Sequence, residues 1–229
     1  MTGECVWFEG KPFPSRELPS EHLREVQENF IIKDEDVLLL TYPKSGMNWL
    51  METVCLIHLK GDPKWIQSVP IGECSPWVEA FRGYNLLKDK EGPRFITSHL
   101  PVQLFPRSFF KSKAKPIIQS EVSQKDKEHY SILDTRNTVE KICQFLGKEL
   151  EPEELNSVLK NSSFQAMKEN NMSNYSLAKG LHFEENAHLL RKGVTGDWKN
   201  HFTVAQAEIF DKLFQEKMAD LPQELFPWE

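Results

Sequence analysis

Residues 37–59 constrain this chain more than any other stretch. An apolar run of strand length, Val37-Leu38-Leu39-Leu40, gives way to Thr41-Tyr42-Pro43-Lys44-Ser45-Gly46, a turn punctuated by Pro and Gly. The strongly apolar segment Trp49 to Leu59 follows and is long enough for a buried helix. A strand, a tight loop and a helix start make an anion cradle. The first N–H groups of a helix lack intrahelical acceptors and carry partial positive charge, Gly46 lets the backbone approach closely, and Lys44 adds a full charge. The order is not the G-x-x-x-x-G-K-[ST] of nucleotide triphosphatases, because Lys44 precedes a single Gly. On local chemistry alone the stretch is equally an ordinary strand-to-helix turn of an α/β protein.

The chain has 229 residues, ample for a real core, and reads as a single domain over 1–229. Its formal charge of −6 argues against nucleic acid or an anionic membrane as partner, so an anionic ligand must be held by local basic groups. Cys5, Cys55, Cys74 and Cys143 lie far apart with no C-x-x-C pair, which favours reduced thiols over a disulfide or zinc framework. Neither a leader-like start nor a bilayer-length apolar run is visible, and the expectation is a cytoplasmic protein. No His/Cys/Asp cluster has metal-ligand spacing.

Residues 5–19, rich in Pro and aromatics, read as an irregular clip onto the core. Ser20 reads as the cap of a helix with Leu23, Val26 and Phe30 on one face. Residues 61–93 read as a long functional loop carrying Trp65, Trp77, Phe81 and Tyr84. Arg94 to Pro101 is a short strand ending beside His99, which is either a structural histidine or a base. From Pro116 to Asn137 the pattern collapses into a solvated junction with one weak strand at most. Helical periodicity returns with Thr138 as cap and Val139, Ile142, Cys143 and Leu146 on one face, closed by Gly147. Pro152 opens the next helix; Ser162–Gln165 and Thr203–Gln206 have capping-box spacing. The second box leads a helix expected to bury Ile209, Phe210, Leu213, Phe214 and Met218.

Tyr42-Pro43-Lys44-Ser45-Gly46-Met47-Asn48-Trp49 closely resembles the 5′-phosphosulfate loop of the cytosolic sulfotransferases, whose donor is 3′-phosphoadenosine 5′-phosphosulfate (PAPS). Arg191-Lys192-Gly193-Val194-Thr195-Gly196-Asp197-Trp198-Lys199-Asn200 resembles a second signature of the same family. Trp7-Phe8-Glu9-Gly10, Ser75-Pro76-Trp77-Val78-Glu79 and the tail from Asn200 to Glu229 are similar to its hydroxysteroid, or bile-salt, branch. The resemblance implies a P-loop-like three-layer α/β/α fold around a parallel sheet. It implies sulfuryl transfer from PAPS to the hydroxyl of a steroid or bile acid by in-line displacement, without a metal.

The resemblance also implies residue roles. His99, within Thr97-Ser98-His99-Leu100-Pro101, is the base, and Lys44 balances charge on the departing phosphate. Imidazole, with an ordinary pKa of about 6.5, is mostly neutral at cytosolic pH and suits the task. Ser45, Gly46, Met47 (where the family usually has Thr), Asn48 and Trp49 complete the donor loop. Ser162 and Met167 match positions near the adenine, while Arg191, Lys192 and Gly193 match the 3′-phosphate segment. Trp77, Tyr84 and Tyr175 are candidates for the acceptor pocket. Lys199, Thr203, Val204 and Glu208 reproduce a K-x-x-x-T-V-x-x-x-E spacing that forms a homodimer contact in relatives.

One segment departs. The family places a core strand after Ala114-Lys115, then an Arg and a Ser that clamp the 3′-phosphate, a helical region and a second strand. Here Pro116-Ile117-Ile118 follows Lys115, and recognisable sequence resumes near Thr138. An internal deletion and a truncated sheet are expected. Losing a buried charged contact to phosphate costs about 2–5 kcal/mol, so a catalytically impaired ligand-binding or dimerising relative is the alternative reading.

Overall fold

Three parallel strands form the central sheet of the computed structural model, which describes residues 5–14, 18–43, 45–119, 135–179, 189–193 and 197–218. They are β3 (Val37–Thr41), β4 (Phe95–Ser98) and β5 (Lys115–Gln119), in the order β4-β3-β5. The register sets Leu39 beside Thr97 and Ile117, and Leu40 beside Ser98 and Ile118. Side chains alternate across the sheet. Leu38, Leu40 and Ile96 pack with Leu23, Val26 and Phe30 in one cluster, around α1 (Ser20–Asn29). On the other face Val37, Leu39, Phe95 and Ile117 pack with Met51, Val54, Val139, Val158 and Met167. Those last residues belong to α2 (Met47–His58), α5 (Thr135–Leu146), α6 (Pro152–Asn161) and α7 (Phe164–Glu169). Helices on both faces give the expected three layers, and they explain why β3 is apolar at four successive positions.

The weak strand allowed for in the junction is a full member of the sheet, where loss of a core strand was expected: Lys115–Gln119 pairs with β3 along its length. The Lys115 N–H donates to the Asp36 carbonyl at 2.9 Å, so alternate residues 115 and 117 turn their backbone groups toward β3. Pro116 and Ile118 therefore turn theirs outward. Proline has no N–H to give, and this register puts the missing donor on the side away from β3, where a strand tolerates it. The strand is short, and Ile118 is 73% exposed, so its place in the sheet comes from pairing with β3 rather than from a buried apolar run. Residues 120–134, the rest of the junction, lie outside the described residues.

Other boundaries shift. The N-terminal clip is a hairpin, β1 (Cys5–Phe8) with β2 (Lys11–Pro14), turned by Glu9 and Gly10 at φ of 48° and 74°. Phe8 and Phe13 of this hairpin seat in the α1-side cluster, so it does clip onto the core. The expected loop over 61–93 contains α3 (Ile71–Cys74) and α4 (Phe81–Lys88). Pro19, not Ser20, occupies the cap of α1. The helix expected to start at Thr138 starts at Thr135, and Ser163 rather than Ser162 caps α7, accepting from the Ala166 N–H at 3.3 Å. Short polar residues in a row make the cap position ambiguous by spacing alone.

The chain divides into two compact units, residues 1–121 with 139–190, and residues 122–138 with 191–229. In the second, a 3₁₀ turn at Asp197–Asn200 precedes α8 (Val204–Met218). The capping box is present: Gln206 N–H donates to Thr203 Oγ1 at 3.3 Å and Thr203 N–H to Gln206 Oε1 at 2.9 Å. The burial expected of this helix is corrected at Ile209, Phe210 and Leu213, which are exposed; Phe214 is half-buried and the Met218 side chain lies outside the described residues. Periodicity specifies a helix, but burial needs a surface to cover it. The described residues of this unit offer little to cover it: the short 3₁₀ turn and the first turn of α5.

Candidate active site

The parallel register brings the end of β3 and the end of β4 together. Leu40 lies beside Ser98, so the next residues, Thr41 and His99, are neighbours. His99 Nδ1 lies 2.9 Å from the Thr41 carbonyl oxygen and 3.3 Å from Thr41 Oγ1. A carbonyl can only accept, so Nδ1 carries the hydrogen and Nε2 keeps a free lone pair in the neutral ring. The loop with the anion-cradle sequence leaves β3 directly after Thr41. Chemistry-bearing residues thus gather at the carboxyl ends of parallel strands, where α/β sheets take their ligands.

The loop closes on itself. Ser45 N–H and Oγ both donate to the Tyr42 carbonyl, at 3.2 and 2.6 Å. Gly46 caps α2 at φ 98°, a backbone that side chains with a Cβ avoid, and the Leu50 N–H donates to its carbonyl at 3.1 Å. Met47 is buried, Asn48 is half-buried, and Trp49 packs partly against the α2-side core. Lys44 lies outside the described residues.

His99 is gripped from a second side by residues 75–79. Thr97 N–H donates to the Pro76 carbonyl and Val78 N–H to the Thr97 carbonyl, both at 3.0 Å. The Trp77 indole meets the His99 ring edge-on at 5.3 Å between centroids. Glu79 Oε1 accepts from the His99 backbone N–H at 2.7 Å. Burial pushes the Glu79 carboxyl above its ordinary range, opposed by the His99 hydrogen bond. Glu79 and Thr41 were not singled out for a role in the sequence. The Ser75–Glu79 stretch was visible, but the parallel register that sets it beside His99 is a long-range fact.

Farther along α2, Glu52 is buried and its carboxylate accepts from Ser173 Oγ at 2.8 Å. Desolvation, relieved in part by Ser173, pushes its pKa up to about 7. Ser162, at the end of α6, is fully buried with no hydrogen-bond partner for its hydroxyl, and Met167 is in the α2-side core. An orphaned buried hydroxyl at a position matched to the adenine site is compatible with a polar ligand there. Tyr84 packs in the α1-side cluster and donates to Glu25 at 3.0 Å, whereas Tyr175 packs against the α2-side cluster at φ 60°. The two tyrosines that were candidates for the acceptor pocket therefore pack on opposite faces of the sheet, while Trp77 meets the His99 ring.

In the second unit Asp197 is a hub. It accepts from Lys192 Nζ at 2.7 Å, Asn200 Nδ2 at 3.0 Å and an Arg191 guanidinium nitrogen, with His201 Nε2 at 3.2 Å. Lys192, then Asn200 and Arg191, hold its carboxyl far below the usual range. Gly193 follows at φ 65°. Lys199, Thr203, Val204 and Glu208 all lie at the surface, Val204 at 77% exposure. No group of three or more potential metal ligands exists among the described residues.

A parallel α/β sheet with a loop of anion-cradle sequence and an oriented imidazole at its carboxyl end is an arrangement suited to group transfer. The sulfotransferase domain family model matches residues 34–119 and 131–222, so the chain belongs to the sulfotransferase family. It is 54% identical to sulfotransferase 2A1 of Macaca fascicularis and 52% identical to that of Homo sapiens, with all of each chain covered. It is 48% identical to 3-beta-hydroxysteroid sulfotransferase of Cavia porcellus, covering all of this chain and 99% of that one. The Macaca match runs over 285 positions against 229 residues here, so at least 56 positions (285 − 229) have no residue in this chain. The gap in the family match, 120–130, lies within the junction segment. Among solved structures, retinol dehydratase in a complex with retinol and PAP superposes with a TM-score of 0.77 at 15% identity, covering 96% of this chain and 91% of that one. Mouse sulfotransferase SULT7A1 complexed with PAP gives 0.70 at 22% identity, covering 95% and 96%. These two show the fold.

Proposed function

We propose that this chain transfers a sulfuryl group from PAPS to the hydroxyl of a steroid or bile acid. The observation that carries the reading is the orientation of His99. Its Nδ1 hydrogen is bound to the Thr41 carbonyl, which leaves the Nε2 lone pair to take a proton beside the loop that starts at Tyr42. In the proposed step the acceptor oxygen bonds to sulfur and the bond from sulfur to the bridging phosphate oxygen breaks. The hydroxyl proton goes to Nε2, and the nucleotide leaves with the electron pair. Lys44 is assigned to the charge that builds on that leaving oxygen, and Ser45, Gly46, Met47 and Asn48 to the 5′-phosphate.

Arg191, Lys192 and Gly193 are assigned to the 3′-phosphate. Asp197 already engages both cations, so phosphate binding there exchanges one anionic acceptor for another. A cytoplasmic location and a homodimer through Lys199, Thr203, Val204 and Glu208 complete the proposal. The exposure of that short segment supports the second, and sedimentation equilibrium tests it. Among the described residues no helix is long and apolar enough to cross a membrane.

The deciding experiment is transfer of radiolabelled sulfate from PAPS to a 3-hydroxysteroid, with a thermal-shift titration against PAP alongside. Transfer, with PAP raising the melting temperature, supports the enzyme. No transfer and no shift at millimolar PAP overturns it and leaves the impaired relative.

A further inference from the structure

The pairing between residues 76–78 and β4 breaks off one rung early, at the residue that matters. Thr97 N–H takes the Pro76 carbonyl and Val78 N–H takes the Thr97 carbonyl. Continued in parallel fashion, the ladder would next give the His99 N–H to the Val78 carbonyl. The chain instead turns away, with Ala80 N–H returning to the Trp77 carbonyl at 3.1 Å, and the Glu79 side chain supplies the acceptor for His99. A main-chain carbonyl would have filled that rung without burying an acid. Glu79 is 3% exposed, and its second oxygen, Oε2, is buried with no hydrogen-bond partner. Burying a carboxyl with one oxygen unsatisfied is unfavourable, so the arrangement calls for a role that a carbonyl rung would not fill.

We propose that Glu79 is a positioning residue for His99. By replacing the ladder rung it pins the His99 main chain just beyond β4, where the ring reaches back to the Thr41 carbonyl and stands against Trp77. A side-chain acceptor holds this N–H without the main chain of residues 78–80 continuing alongside His99. The inference rests on the proposed reaction, in which Nε2 accepts the proton.

An amide and a hydrocarbon, each close in size to glutamate, separate the contact from the charge. Glu79→Gln keeps an acceptor oxygen at the same reach, whereas Glu79→Leu fills the space and offers none. In protein labelled with ¹⁵N-histidine and free of ligand, the wild type and Glu79→Gln are expected to show His99 protonated at Nδ1 alone. Glu79→Leu is expected to show a mixture of both tautomers. In transfer assays kcat should fall about tenfold to a hundredfold in Glu79→Leu with the PAPS KM within about twofold, and Glu79→Gln should stay within about threefold of wild type. A wild-type tautomer and kcat in Glu79→Leu overturn the proposal. So does a Glu79→Gln variant that loses as much as Glu79→Leu, because charge rather than contact would then act. If Glu79→Leu does not fold, Glu79→Asp, one methylene too short for the contact, is judged on the same tautomer signal. A wild type with the Nδ1 tautomer but no transfer activity sinks the reaction assignment, while the tautomer comparison still decides the positioning.

Discussion

The two ends of the central sheet treat buried polar groups in opposite ways. At the amino end, Arg94 is 1% exposed and nearly every donor is spent. Its Nε bonds to Asp36 Oδ1 at 3.0 Å, Nη1 to the Leu87 carbonyl at 2.9 Å, and Nη2 to the Ile31 carbonyl at 2.7 Å and to Asp36 Oδ2. Asp36 also accepts from the Lys33 N–H at 2.8 Å, and the guanidinium lies over the Phe30 ring. At the carboxyl end, Glu79 Oε2 and the Trp77 indole N–H are buried without partners next to His99. One end is closed and serves to hold β3, β4 and α4 in register. The other retains unsatisfied groups, and the loop and the imidazole are there. Satisfaction marks the stabilising end, and its absence marks the end available for chemistry.

The sharpest way to break this contrast is His99→Ala. If the carboxyl end serves chemistry, removing the base should lower transfer by about 10²–10⁴-fold while the melting temperature stays near wild type. Equal rates in the two proteins would place the base elsewhere. Asp36→Ala is the mirror experiment. It strands a buried guanidinium, and the expected loss is about 3–5 kcal/mol of stability by denaturant titration, with activity per folded molecule retained. A loss below about 1 kcal/mol would mean that the amino end does not carry the register.

Glu52 extends the contrast into α2, because it is a buried acid whose recorded hydrogen bond comes from a neutral hydroxyl. Its folded pKa of about 7 stands above the ordinary 4.5. Below about pH 4.5 both states hold the proton and stability is unaffected. Between there and about pH 7 the unfolded chain has released its proton while the folded chain keeps it, so stability falls as pH rises. Above that range the loss is complete, on the order of 3 kcal/mol. Glu52→Gln mimics the protonated acid and should match wild type near pH 4.5. At pH 8 it should be the more stable protein. A stability difference that does not change between those pH values would show that Glu52 titrates normally.

Much of this was legible in the sequence for physical reasons. The run Val37–Leu40 is apolar at every position because both faces are covered, and helices α5 and α8 announce themselves by period and caps. Lys115–Gln119 was legible only as a weak strand at most, because Pro116 and two isoleucines give little local signal and its place in the sheet comes from pairing with β3. The burial of α8 was overestimated because periodicity specifies a face and says nothing of what covers it. His99 was found through its motif. Thr41 and Glu79 were not, since their importance lies in a register joining residues 58 and 20 positions from His99.

The smallest expected effect tests whether the carboxyl end keeps its geometry by backbone strain as well as by unsatisfied groups. Gly46 holds φ at 98° where the loop enters α2. Alanine there gains a Cβ that disfavours positive φ by about 1–2 kcal/mol. That cost can be met either by global destabilisation or by a local shift of the loop, and the two are separable. If α2 is locked by its core residues, Gly46→Ala should lose about 1 kcal/mol of stability and keep its PAP affinity. If the loop yields instead, stability should change little while PAP binding weakens by about tenfold, since the first-turn N–H groups would no longer converge on the phosphate. The burial of Met47, Leu50 and Met51 favours the first outcome, because moving the start of α2 means moving its core. A weakened affinity at unchanged stability would show that the loop is held more loosely than the helix it opens, and that the carboxyl end is the compliant end of the sheet.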